Sequence, residues 1–202
     1  MVDWLKNIIT ENISAVTGLL GVYVGAYLTR RQMTIERKLE FYEKQLRELY
    51  SPLLGVRKEI QILSEFRLAG EQAQGEWWQD VCKIGDSIED ESEATKYYNQ
   101  EGEHIKSQIE YENTQLVETI IPAYTKMVSI FKKNYWLAEE ETKRYFPILI
   151  KFVETWERHL SRTHNMKVLN QISVSEEKLL YFYSHIEELH GNLRVKLKEG
   201  KV

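Results

Sequence analysis

Asn7, Glu11, Ser14, Gly18, Gly21 and Gly25 recur at alternating steps of four and three. At about 100° per residue they form one narrow helical stripe whose members are all polar or tiny. The opposite stripe, Ile9, Ile13, Val16, Leu20, Tyr23 and Tyr27, is bulky throughout. Small residues let helix backbones approach closely, and Gly21-x-x-x-Gly25 is a common motif for doing so. The chemistry on offer is assembly: parallel copies of one helix meeting along Ser14, Gly18, Gly21 and Gly25. Glu11 on that stripe would form a ring of carboxylates, which favours cations in a pore. The alternative is a carboxylate solvated at the headgroup level.

A second set is basic. Arg144, Lys151, Arg158 and Arg162 follow steps of seven, seven and four, which aligns them on one helical face. Lys132, Lys133 and Tyr135-Trp136 precede them, and His159 and His164 lie close by. Cations in register with aromatics can hold phosphates and stack bases. The same row can equally be a solvated face paired with Glu154 and Glu157, or a contact with acidic residues of another subunit. Bond-making chemistry finds little support. There is no Walker loop, GxSxG elbow or HExxH. His159/His164 and His185/His190 are spaced by five, which puts each pair on different faces. The single cysteine, Cys82, excludes an intramolecular disulfide and a multi-cysteine metal site. The expectation is a protein without enzymatic activity, metal or cofactor.

The elements that would carry these residues are legible. Ile13 to Leu28 is 16 residues without a charge, about 24 Å of helix against a hydrocarbon core of about 30 Å. Residues 1–31 are expected to be a single retained transmembrane segment. A buried soluble helix is the alternative, and Asp3 and Glu11 disfavour a cleavable signal peptide. Arg30, Arg31, Arg37 and Lys38 follow the run, so the N-terminus should lie outside and the rest in the cytoplasm. The four-three register then continues through Ile35, Leu39, Tyr42, Leu46, Leu49, Leu53, Val56, Ile60 and Leu63. Residues 32–67 therefore read as a long coiled-coil-like helix, kinked or restarted at Pro52. The seam can face other subunits, pack inside its own chain, or do both in succession.

Residues 68–202 are expected to form a helical bundle. Residues 68–75 read as a connector, Trp77 to Ile84 as a short helix and Ser87 to Glu93 as an acidic loop. Long helices are expected from Gly102 to Tyr135, bent at Pro122; from Ala138, with Glu139, Glu140 and Glu141 at its positive end; and from Ser173, capped with Glu176 and ended by Gly200. Nothing alternates with a period of two, so the fold class is all-α. The 202 residues, 43% hydrophobic and 11% aromatic, exclude disorder. The net charge of -4 argues against general nucleic-acid affinity. It hides an acidic middle: residues 71–125 carry 3 Lys/Arg against 13 Asp/Glu, and residues 126–202 carry 14 against 10.

Five stretches, Leu49-Tyr50-Ser51-Pro52-Leu53, Ile121-Pro122-Ala123-Tyr124, FKKNYWLA from Phe131, FVETWERHL from Phe152 and VSEEKLLYF from Val174, resemble a little-characterised family of bacterial single-span membrane proteins. They look like packing and turn positions, so the resemblance carries over no catalytic residue. One span followed by a helical cytosolic domain also resembles membrane effectors of anti-phage defence, such as the Hailong-type channel subunit. That likeness of organisation implies a homo-oligomeric ion channel in the bacterial inner membrane. Its cytosolic domain would be gated by a nucleotide or DNA oligomer made by a partner enzyme, with Lys132, Lys133, Arg144, Lys151, Arg158 and Arg162 as the candidate contacts. A non-conducting anchored scaffold or sensor is the other reading.

Overall fold

The computed structural model describes residues 2–161, 167, 168, 171 and 177–200, with side chains from residue 17 onward. Among these residues the chain is almost wholly helical and contains no strand, in agreement with the all-α expectation. Helix α1 spans Val2–Gln45 and passes through a π-helical turn, Leu46–Tyr50, into α2, Ser51–Asp86. Helix α3 spans Glu91–Gln115 and passes through a second π-turn, Leu116–Ile120, into α4, Ile121–Lys133. A 3₁₀ turn, Tyr135–Leu137, leads to α5, Glu140–Lys143, then α6, Phe146–Leu160, and α7, Glu177–Glu199.

The three prolines explain where helices change course. Pro52, Pro122 and Pro147 each sit in the first turn of a helix. There the missing N–H costs nothing, because that donor has no partner within the helix. Ahead of Pro52 and Pro122 the backbone adopts a wider turn, and the N–H of Ile121 reaches back to Leu116 O. One extra residue per turn relieves the clash between the proline ring and the preceding carbonyls. The kink and bend expected at these prolines take the form of π-turns.

Three expectations need correction. Residues 68–75 are not a connector: α2 runs unbroken through them. Leucine, alanine, glutamate and glutamine are strong helix formers, and Arg67 to Glu71 (3.0 Å) and Gln72 to Glu76 (3.3 Å) tie successive turns together. The boundary expected between 67 and 68 therefore lies inside α2. The compact units divide elsewhere: Met1–Leu46 with Gly191–Val202, and Arg47–His190. The acidic loop is shorter than expected. Asp90 accepts from the N–H groups of Ser92 and Glu93, and α3 starts at Glu91 with acidic residues at its positive end. Finally, no single helix starts near Ala138. The chain forms α5, turns at Arg144-Tyr145, and begins again as α6. The expected cap at Ser173 and Glu176 lies outside the described residues. Gly200, with φ 61°, closes α7 as expected.

The unit Arg47–His190 holds a core built from α2, α4, α6 and α7. Leu49, Leu53, Ile60, Met127, Phe131, Leu149, Phe182 and Ile186 are fully buried in it. Partner numbers fall along one helix as they rise along its neighbour: Tyr124 meets Phe152 and Phe131 meets Phe146. Arg57 lies over Tyr183, and Ser51 meets His190. Antiparallel packing of this kind is the expected bundle, and the seam from Leu49 to Ile60 belongs to its own chain's interior. The α2–α3 hairpin extends it. There Tyr98 donates to Asp86 (2.8 Å) and to Cys82 O (3.1 Å), and its ring packs directly on Gly85. Within the other unit, Lys196 of α7 sits 5.1 Å from the Tyr42 ring, and Ile35 and Leu39 are half-buried.

Candidate functional site

Helix α1 carries a run that its own chain leaves uncovered. Leu19, Leu20, Val22, Tyr23, Val24, Tyr27 and Leu28 are all exposed, from 51% at Val24 to 72% at Val22 and Tyr23. At about 100° per residue these seven positions cover about two thirds of the helix circumference, and the remaining arc holds Gly18, Gly21 and Gly25. An α-helix that is apolar all round normally belongs in a protein interior or a bilayer. Gly18, Gly21 and Gly25 face open space: among the described residues nothing beyond the helix's own neighbouring backbone lies within 4 Å of where a Cβ would stand. Glu11 and Ser14 lie on described helical backbone, but their side chains fall outside the described residues. Among the described residues no helix is long and apolar enough to cross a membrane. The uncharged run begins at Ile13, ahead of the first described side chain, so that finding bears on its Thr17 to Leu28 part, about 18 Å of helix.

The basic row does not survive as one helical face. Arg144 is the C-cap residue of α5, whereas Lys151 and Arg158 lie on α6 beyond the break, and Arg162 lies outside the described residues. Arg158 pairs with Glu154 at 2.7 Å, the partner anticipated for a solvated face. Lys132 and Lys133 are exposed in the last turn of α4, where cations complement the negative helix end. None of them lines the two clefts that flank Arg67. One cleft, of about 270 Å³, is walled by Leu63, Phe66 and Tyr111; the other, of about 340 Å³, by Tyr124, Phe152 and Trp156. Arg67 itself is held between Glu71 (3.0 Å) and Glu112 (3.9 Å).

A polar chain that sequence reasoning missed runs through the bundle. Glu139 N–H donates to the Tyr50 hydroxyl (3.2 Å), which meets Thr142 Oγ1 (3.2 Å), which meets His185 Nε2 (2.9 Å). Tyr50 and Thr142 are fully buried. Burial pushes the Tyr50 phenol above its ordinary range, opposed by its hydrogen bonds to Thr142 and Glu139. Nearby, Ser51 Oγ meets His190 Nε2 (3.1 Å), and Asn134 Nδ2 donates to Glu48 O (2.7 Å) inside the first π-turn. The Glu140 carboxylate, 2.6 Å from Lys143, raises that ammonium. The two histidines do face different ways, and each has a different partner. Among the described residues no cluster of side chains could hold a metal ion. The chain matches no protein-family model, no curated protein and no solved structure.

Proposed function

We propose that the protein is a membrane effector whose α1 inserts its Ile13–Leu28 run into a bilayer and associates with copies of itself along Ser14, Gly18, Gly21 and Gly25. One observation carries this reading: the bulky residues from Leu19 to Leu28 are exposed over about two thirds of the helix circumference, and among the described residues no other element lies within 4 Å of a Cβ position at Gly18, Gly21 or Gly25 on the remaining arc. Lipid suits the bulky sides, and a neighbouring backbone suits the glycine side. A ring of Glu11 at the mouth of such an assembly would select cations.

Gating by a nucleotide or oligonucleotide, and a part in anti-phage defence, rest on organisation alone. Lys132, Lys133, Arg144 and Lys151 are the exposed candidates among the described cations for such a ligand. The test is reconstitution of the full chain into liposomes. The protein should resist extraction by alkaline carbonate and release trapped ions in at least one ligand condition. Gly21→Leu and Gly25→Leu should abolish both the oligomer, read by mass in detergent, and the release. Extraction by carbonate would overturn the reading. Integral protein that never conducts would leave the anchored scaffold.

A further inference from the structure

The segment that follows the apolar run has two electrically distinct sides. At about 100° per residue, Arg30, Arg31, Arg37 and Lys38 fall within an arc of about 120°. Tyr23 and Tyr27 share that arc, one to two turns earlier. Glu36 and Glu43 fall on the far side, in line with Gly18, Gly21 and Gly25, and Glu40 falls at its edge. All four cations are exposed, and none has a side-chain hydrogen bond or ion pair among the described residues. The carboxylate nearest in sequence, Glu36, instead accepts from Gln32 (3.0 Å) on its own side of the helix. Long basic side chains left without partners, beside three carboxylates that could have served, call for an anion from outside the chain.

We propose that Arg30, Arg31, Arg37 and Lys38 form a docking face for anionic lipid headgroups. This rests on the membrane reading of α1 and adds the class of lipid and the side of the helix that meets it. Arg30 and Arg31 come directly after the apolar run and its exposed tyrosines, so they emerge at the headgroup layer, where their aliphatic stems can stay in apolar surroundings. Arg37 and Lys38 lie about 10 Å further along the helix. That is within about a Debye length of a charged surface. The face is continuous with the bulky side of the run, and the glycine side points the other way. Headgroups on one side and a neighbouring helix on the other can therefore be engaged together. A nucleic acid would present the same phosphate chemistry, but nothing aligns it with the apolar run.

The experiment uses the full chain in vesicles of phosphatidylcholine, with or without phosphatidylglycerol. Spin-labelled phosphatidylglycerol and phosphatidylcholine report their relative association with the protein by electron spin resonance. The wild type should favour the anionic lipid by about fivefold or more, since each surface cation contributes a factor of that order. The preference should shrink at high salt and fall to near unity in the variant R30Q/R31Q/R37Q/K38Q. Equal association of the two lipids with the wild type, or a preference unchanged in the variant, would overturn the proposal. So would an oligonucleotide retained by the wild type and lost by the variant without any lipid preference. Protein removed from both vesicles by alkaline carbonate would overturn the membrane reading as well. Protein retained in both without selectivity would overturn this inference alone.

Discussion

Thr142 Oγ1 stands 2.9 Å from His185 Nε2, and that contact orders a chain of protons through the bundle. The Tyr50 oxygen already accepts from Glu139 N–H. Every proton is paired when Tyr50 donates to Thr142 and Thr142 donates to a bare His185 Nε2. With a proton on Nε2 the direction reverses, and the Tyr50 hydroxyl proton has no acceptor in a fully buried place. Thr142→Val removes the middle of the chain and leaves the buried Tyr50 hydroxyl proton without an acceptor. A buried polar group left this way costs about 1–3 kcal/mol. The variant should therefore unfold at clearly lower urea, whereas Thr142→Ser should stay close to wild type. Equal midpoints for valine and serine would show that the hydroxyl contributes nothing.

The phenols make a pH prediction. Tyr98 is raised to about 12, chiefly by its hydrogen bond to the Asp86 carboxylate, and Tyr50 is raised by burial. Both ionise more easily in the unfolded chain, where the value is about 10. Their contribution to stability is complete below that pH and is lost as pH climbs through the folded-state values. Ultraviolet titration of Asp86→Asn should show one tyrosine ionising earlier than in wild type. An unchanged titration would separate Tyr98 from Asp86.

Two glycines predict opposite signs. A methyl group at Gly85 would overlap the end of the Tyr98 ring, so Gly85→Ala should displace that ring from its hydrogen bonds to Asp86 and Cys82 O and cost about 1–3 kcal/mol. Gly102, inside α3, has nothing within 4 Å of its missing Cβ. Gly102→Ala should gain about 0.5–1 kcal/mol from helix propensity and reduced freedom of the unfolded chain. Thermal unfolding of the pair checks both signs in one experiment.

Asn134 predicts the worth of a side chain that patches a π-turn. Its Nδ2 donates to Glu48 O at 2.7 Å and to Ile130 O at 3.2 Å. Asn134→Leu keeps the bulk and removes the donor, so it should destabilise by about 1–3 kcal/mol. Faster hydrogen exchange at Leu46 to Tyr50 would localise the effect, and unchanged exchange there would count against it.

What could be read from residues alone follows from the range of each signal. The seam Leu49, Leu53, Val56, Ile60 repeats within one helix, and its burial was legible. So was the inner face of α7 at Leu179, Phe182, Ile186 and Leu193. The helix through 68–75 is hard to read from residues alone because Gly70 and Gly75 are weak helix formers, whereas the alanine, glutamate and glutamines between them favour the helix that forms. The break at Arg144-Tyr145 was invisible because Pro147 is equally at home inside a helix's first turn or at a fresh start. The chain from Tyr50 through Thr142 to His185 joins residues 92 and then 43 positions apart. Local periodicity carries no information over such separations.

The turn at Leu116–Ile120 decides where this polypeptide can lose a residue without losing phase. A π-turn stores one surplus residue, and deleting Val117, whose side chain is exposed, would let an ordinary coil of backbone replace it. The helix upstream would then keep its phase against α4, with Glu112 still beside Arg67 and Tyr98 still on Gly85. A residue removed from the regular part of α3 finds no such slack and would turn everything upstream of it by about 100°. Within α3 insertions and deletions are gear shifts; at the wide turn a lost residue is only slack taken up.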